Sequence, residues 1–187
     1  MIDGMNHKVS RMEVFEAIQK RKSVRAYEDR PIPEDVLMKI LEAGRIAPSA
    51  ANRQPWHFVV VRDPERRKAL TSGRWAKFLK DTPVVIVGCG DKTKSPRWFA
   101  VDVTIALENI VLAATAEGVG TCWIGSFEEE EIKNVVKAPE EFQVVAMLAM
   151  GYPRKSLEIV SKLAGSRNRN PIEEIVSYEE YGKAEGA

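Results

Sequence analysis

Apolar positions along the chain switch between helical spacing and unbroken strand-length runs, and the switches mark out its elements. Val14, Phe15 and Ile18 share one face of a helix predicted over residues 10–21, where Ser10 and Glu13 are spaced as an S-x-x-E capping box. Val36, Leu37, Ile40 and Leu41 form a second stripe behind Pro33, Glu34 and Asp35, which suit a first helical turn; that helix should stop near Pro48. HFVVVRDP reads as a strand, with Asp63 and Pro64 opening a short helix over ERRKAL, and TPVVIVGCG reads as another strand.

Residues 98–117 are apolar on most sides, with Ala113, Ala114 and Ala116 allowing close approach, and predict a central buried helix. VGTCWIG predicts a short strand. SFEEEEIKNVV predicts a helix with Ser126 and Glu129 as a second capping box, and FQVVAMLAMGYP a further strong strand. This order is that of an α+β domain. From Pro153 onward the core-forming pattern fades, leaving an apolar patch of Ile172, Ile175 and Val176; an irregular segment of that length is usually functional or docked elsewhere.

The chain has 187 residues, 44% of them hydrophobic, enough for one domain with an extension from about residue 153 to 187. A formal net charge of +1 gives no global attraction to nucleic acid or to an anionic membrane, so any anion site must be local. The runs PVVIVGCG and VVAMLAMG fall short of the roughly 20 residues that span a bilayer, and the N-terminus is polar. Cys89 and Cys122 form no CxxC pair and have no partners at zinc spacing. Together these features predict a soluble, cytoplasmic protein without a metal site.

Several chemistries lack their residues. VVIVGCGD follows a strand, but DKTK replaces the rest of G-x-G-x-x-G, and GVGTCW also lacks the third glycine. No G-x-S-x-G elbow is present, and His57 sits on a predicted strand, where a structural role is the simpler reading. The acids at 128–131 cannot all point one way on a helix, which favours a solvated first turn over a metal site.

A different kind of signal lies in RKSVRAYEDRPIPED. Arg21, Lys22, Ser23 and Arg25 put guanidinium forks, an ammonium and a hydroxyl at a helix end, matching the oxygens of a phosphate monoester; the alternative is a solvated basic turn. A second basic cluster, SRNRN at 166–170, could close on the same dianion. APSAANRQPWHF combines small residues, which let backbone approach a flat ligand, with the amides of Asn52 and Gln54; it is otherwise an ordinary helix-to-strand loop.

RKSVRAYEDRPIPED, APSAANRQPWHFVVV, GVGTCWIGSF and SRNRNPIEEIV occur in the order and spacing of the nitroreductase family, and from about Glu13 to about Tyr178 the chain resembles its shorter members. The resemblance implies an α+β nitroreductase-like fold, a mainly antiparallel sheet flanked by helices. It implies a homodimer with the C-terminal tail docked on the partner chain and one FMN at each subunit interface. Arg21, Lys22 and Ser23 would meet the flavin phosphate and ribityl chain, Arg25 the pyrimidine side, and Arg167 with Arg169 the phosphate again. Pro48, Ser49, Ala50 and Asn52 would pack on the ring from the partner subunit, with Gln54 close behind, and Gly125 would offer a backbone N–H near N5 or O4. Lys77 is implied near N1 and O2, or else sits on a plain amphipathic helix. Ile124 stands where some larger members carry a glutamate.

The implied activity passes two electrons from NADH or NADPH through flavin N5 to a nitroaromatic, a quinone or a related small-molecule acceptor by a ping-pong route, with no catalytic side chain. The alternatives are a flavin carrier or sensor, or specialised flavin chemistry such as dehalogenation or consumption of the flavin. The family's larger members insert helices that cover the substrate between VVIVGCGD and the central helix, where this chain has little sequence; the resemblance thus implies that Arg97, Trp98 and Phe99 shape what lid there is.

Overall fold

The structure, a computed structural model, describes residues 12–71, 76–154 and 169–183. The chain separates into two compact units, Met1–Arg154 and Lys155–Ala187. Among the described residues of the first, four strands form one sheet: β1 (Trp56–Val61), β2 (Val84–Asp91), β3 (Gly120–Ile124) and β4 (Phe142–Gly151). The order is β1-β2-β4-β3, and every neighbouring pair is antiparallel.

Strand β2 lies inside the sheet with both faces covered, which explains why PVVIVGCG shows no alternation. Val84 and Ile86 join a core with Leu37, Ile40, Leu107 and Ile110 on one side. Val85, Val87 and Cys89 join Leu79, Ile132 and Met147 on the other. Each fully buried aliphatic side chain contributes about 1.5–3 kcal/mol by leaving water. The register shifts between Gly88, opposite Ala146, and Cys89, opposite Val144. Val145 is thus the extra residue of a β-bulge, so that Val144 and Met147 serve one core while Val145 and Ala146 serve the other.

Helices α1 (Val14–Lys20), α2 (Glu34–Arg45), α3 (Pro64–Ala69), α4 (Phe99–Ala116) and α5 (Glu129–Val136) flank this sheet. Asp63 caps α3 as expected, its carboxylate accepting the Arg66 N–H at 2.9 Å. The first helix begins at Val14 with Glu13 as its N-cap, and Ser10 lies outside the described residues. The capping box expected at Ser126 does not form: α5 starts at Glu129, Glu128 is its N-cap, and no side chain caps it. Glu129 has another use, accepting the Val144 N–H at 3.2 Å beside the bulge.

Helix α4 buries Val103, Ala106, Leu107, Ile110, Val111 and Ala114, but the face carrying Trp98, Val101 and Ile105 is exposed. It is long and apolar enough to cross a membrane by length and composition alone, yet seven of its residues are buried inside this unit. The outer residues of α1, which packs on α4, are exposed too: Val14, Phe15 and Ile18. In the second unit, α6 (Ile172–Ile175) leaves Ile172 and Ile175 exposed.

Candidate active site

Past the end of α1 the basic turn runs alongside the sheet's edge. Ser23 pairs with Thr121 of β3 in a single parallel bridge, and the Val24 N–H donates to the Thr121 carbonyl at 2.8 Å. Two apolar anchors fix the segment. Val24 is buried, and Tyr27, 3% exposed, donates its hydroxyl to the Val24 carbonyl at 2.5 Å. With these two inside, Ser23 and Arg25 remain exposed, and Arg21 and Lys22 half-buried.

Where β3 ends, a cleft of about 170 Å³ opens between Arg25, Phe78 and the backbone turn at Gly125 and Ser126, with Cys122, Trp123 and Ile124 completing its walls. Burial pushes the Cys122 thiol up, opposed by the Arg25 guanidinium, a hydrogen bond from Ser23 and the charge of Arg21. Tyr27 is held well above the usual phenol range by burial and by Cys122, with Arg25 opposing. On α4, burial raises the Glu108 carboxyl, against the pull of Arg21 and a hydrogen bond from Trp123. Arg21, Ser23 and Arg25 thus all act on Cys122 of the cleft wall.

Gly125 is a glycine for neither packing nor strain inside the chain. A Cβ built there meets no atom of the described residues within 4 Å, and its φ lies outside the left-handed range. A group from outside can therefore approach the backbone on that side.

The loop of Pro48, Ser49, Ala50, Asn52 and Gln54 is elsewhere. None of its residues lines the cleft just described. Its backbone is unusual: Ala51, Asn52 and Gln54 have φ of 50°, 53° and 47°. The left-handed region costs a non-glycine residue roughly 1–2 kcal/mol. Local bonds offset this. The Gln54 N–H donates to Ser49 Oγ at 2.9 Å, the Gln54 side-chain amide donates to Asn52 O and Oδ1, and the Ala50 N–H donates to Asp102 Oδ1 at 3.0 Å.

Lys77 is exposed at the start of a 3₁₀ turn (Lys77–Asp81), one residue before Phe78 of the cleft wall. Arg169 is exposed in the second unit, and Arg167 lies outside the described residues. The sequence reading missed Phe78, Cys122 and Trp123 as cleft residues, although the last two stood in a quoted motif. Asp102 and Glu108, the two acids of the largely apolar α4, line no part of the cleft but were missed as well, although such a pattern itself asks for partners. A larger groove of about 530 Å³ lies between α2 and the edge strand β1, lined by Leu37, Met38, Leu41 and Val59 and crossed by the Glu34–Arg62 ion pair. It holds none of the predicted site residues.

A sequence profile of the nitroreductase family matches residues 18–72 and 69–152. A protein of Methanothermobacter thermautotrophicus, provisionally named an NADH dehydrogenase/NAD(P)H nitroreductase, is 38% identical over 83% of each chain. The structure of a nitroreductase family protein from Clostridium difficile 630 superposes with a TM-score of 0.77 at 30% identity, covering 90% of this chain and 99% of that one. An FMN-dependent nitroreductase from Clostridium difficile R20291 gives a TM-score of 0.70 at 30% identity, over 82% of this chain and 98% of that one.

Proposed function

The chain belongs to the nitroreductase family, and from that premise we propose that it is an FMN-dependent oxidoreductase, taking electrons from NADH or NADPH and delivering them to a small organic acceptor. When bound, FMN would supply the two-electron chemistry that links a nicotinamide donor to the acceptor. The chain's own residues bind, orient and tune.

The observation that carries this reading is the docking of the basic turn on β3, which joins a cluster of cations to a cleft with an open backbone edge at Gly125. A flavin is flat and apolar with an anionic tail, and these residues fit it. Phe78, Trp123 and Ile124 suit the ring's apolar body. Arg21, Lys22 and Ser23 hold the phosphate end, and Arg25 bears on the pyrimidine side. By family resemblance Arg167 and Arg169 would serve the phosphate too, Lys77 would bear on N1 and O2, and the Gly125 N–H would attend N5 or O4. No side chain is assigned as an acid or base.

The working form is a homodimer. A cleft of about 170 Å³ is well below the 300–1,000 Å³ of ordinary ligand pockets, so one chain offers only part of a site. The loop of Pro48, Ser49, Ala50, Asn52 and Gln54, held in shape yet away from its own cleft, supplies the missing wall from the partner. The exposed faces of α1 and α4 provide apolar area for such an interface, and the C-terminal unit docks on the partner chain. A shallow stacking site selects acceptors weakly, which suits nitroaromatics and quinones alike. The setting is cytoplasmic, with neither nucleic acid nor membrane as partner.

The test is steady-state oxidation of NADH and of NADPH at several fixed concentrations of a quinone, then of a nitroaromatic. Parallel double-reciprocal lines are expected. Nicotinamide oxidation no faster than with free FMN would overturn the assignment.

A further inference from the structure

Asp102 stands in the first turn of a largely apolar helix and is 3% exposed, yet it holds no cation in an ion pair among the described residues. Its two oxygens are spent on chain outside the helix. Oδ1 accepts the Ala50 N–H at 3.0 Å, and Oδ2 lies 3.3 Å from the hydroxyl of Ser95, itself fully buried. Ser95 is fixed in turn, its carbonyl accepting the N–H groups of Trp98 and Phe99 at the start of α4. The buried carboxylate therefore reaches across 52 residues of sequence to hold the loop whose Ala51, Asn52 and Gln54 sit in the left-handed region. At its far end the same loop is tied by the Pro55 carbonyl, which accepts the Asp91 N–H at 2.9 Å.

We propose that Asp102 is a positioning residue for the cofactor site: through the Ala50 N–H it fixes the loop of Pro48, Ser49, Ala50, Asn52 and Gln54 in the shape that meets the flavin ring. The inference rests on the functional reading above. A buried side-chain oxygen that accepts the Ala50 N–H satisfies a donor that would otherwise lose its partner, and so ties the loop backbone to α4. Preforming the loop removes the ordering cost that binding would otherwise carry, so losing the anchor should appear as weaker binding. The core does not depend on it, because α4 packs through Val103, Ala106, Leu107 and Ile110.

The experiment compares wild type, Asp102→Ala, Asp102→Asn and Ser95→Ala in the full chain by two readouts: FMN affinity from quenching of flavin fluorescence, and amide hydrogen exchange of the peptide spanning the loop in the flavin-free protein. Asp102→Ala should weaken FMN binding by about tenfold and speed loop exchange by at least as much. Asp102→Asn, which keeps an acceptor for the Ala50 N–H, should stay within about threefold of wild type in both. Ser95→Ala should move both readouts in the direction of Asp102→Ala by a smaller step, and it carries the test if Asp102→Ala does not fold. Faster loop exchange with unchanged FMN affinity, unchanged exchange in Asp102→Ala and Ser95→Ala, or no rescue by asparagine would each overturn the inference and leave the flavin reading standing. A wild-type protein that binds no FMN would overturn the flavin reading and this inference with it.

Discussion

Ser23 and Thr121 lie side by side in a single parallel β-bridge, sealed by the 2.8 Å bond from the Val24 N–H to the Thr121 carbonyl. Ninety-eight residues apart in sequence, they join the basic turn to the strand that floors the cleft. If the cations of that turn hold a phosphate, disturbing this contact should disturb cofactor binding before it disturbs the fold.

Arg21→Ala should weaken FMN binding by roughly one to two powers of ten, the loss that removing a charged hydrogen bond implies. Riboflavin, which lacks the phosphate, should bind Arg21→Ala and wild type within about threefold of each other. Titration of both flavins into both proteins checks this. Equal losses for the two ligands would take Arg21 away from the phosphate.

Gly120→Ala tests the bridge itself. A Cβ at residue 120 would come 2.7 Å from Val24 Cγ2 and 2.9 Å from Val24 Cβ, so the turn must shift off β3. Denaturant unfolding should show a loss of about 1–3 kcal/mol, typical of an overpacked core, together with weaker FMN binding. A variant as stable as wild type with full affinity would mean that the turn does not need this contact.

Gly125→Val separates binding from folding. Since no atom of the described residues lies within 4 Å of a Cβ at residue 125, stability should change by less than about 0.5 kcal/mol. FMN affinity should nonetheless fall sharply, because the added side chain projects where the ring approaches. A thermal melt paired with a binding titration gives both numbers, and normal affinity would remove Gly125 from the site.

Cys89 gives the fold a pH dependence of its own. Burial, with Glu129 adding to it, pushes the thiol up to about 11, while Lys133 opposes. In the unfolded chain the thiol ionises near its ordinary value, so between about pH 9 and about pH 11 the folded state holds more protons and stability falls as pH rises. The contribution is fully present below that window and amounts to about 3 kcal/mol once lost. Urea midpoints of wild type and Cys89→Ala at about pH 8 and about pH 11 should converge at the higher pH. Parallel pH dependence in the two proteins would assign the effect to other groups.

Much of this architecture was legible because its cause is local. Val36, Leu37, Ile40 and Leu41 repeat at helical spacing, Asp63 with Pro64 is a complete start signal, and the unbroken apolar run TPVVIVGCG announces a strand. What sequence spacing could not carry is competition for the same atoms. Glu129 is well placed to complete a capping box with Ser126, but the bulge at Val145 offers it the Val144 N–H instead, and α5 starts without a side-chain cap. The site divides the same way. The cations at Arg21, Lys22 and Arg25 advertise themselves by charge, and Gly125 by its motif, whereas Asp102, Trp123 and Phe78 acquire their places only when α4, β3 and the 3₁₀ turn come together. The exposed stripes Val14, Phe15, Ile18 and Trp98, Val101, Ile105 were visible as apolar positions, but no periodicity tells an inward face from an exposed one.

The central claim is that this chain binds FMN and cycles it with a nicotinamide. The visible absorption spectrum of the purified protein, supplied with FMN, freed of unbound flavin and titrated anaerobically with NADH and then NADPH, tests it most directly. The account predicts flavin bands that bleach with at least one donor and return when a quinone or nitroaromatic is added. Flavin bands that resist both donors, or no bands at all after FMN has been supplied, would contradict it.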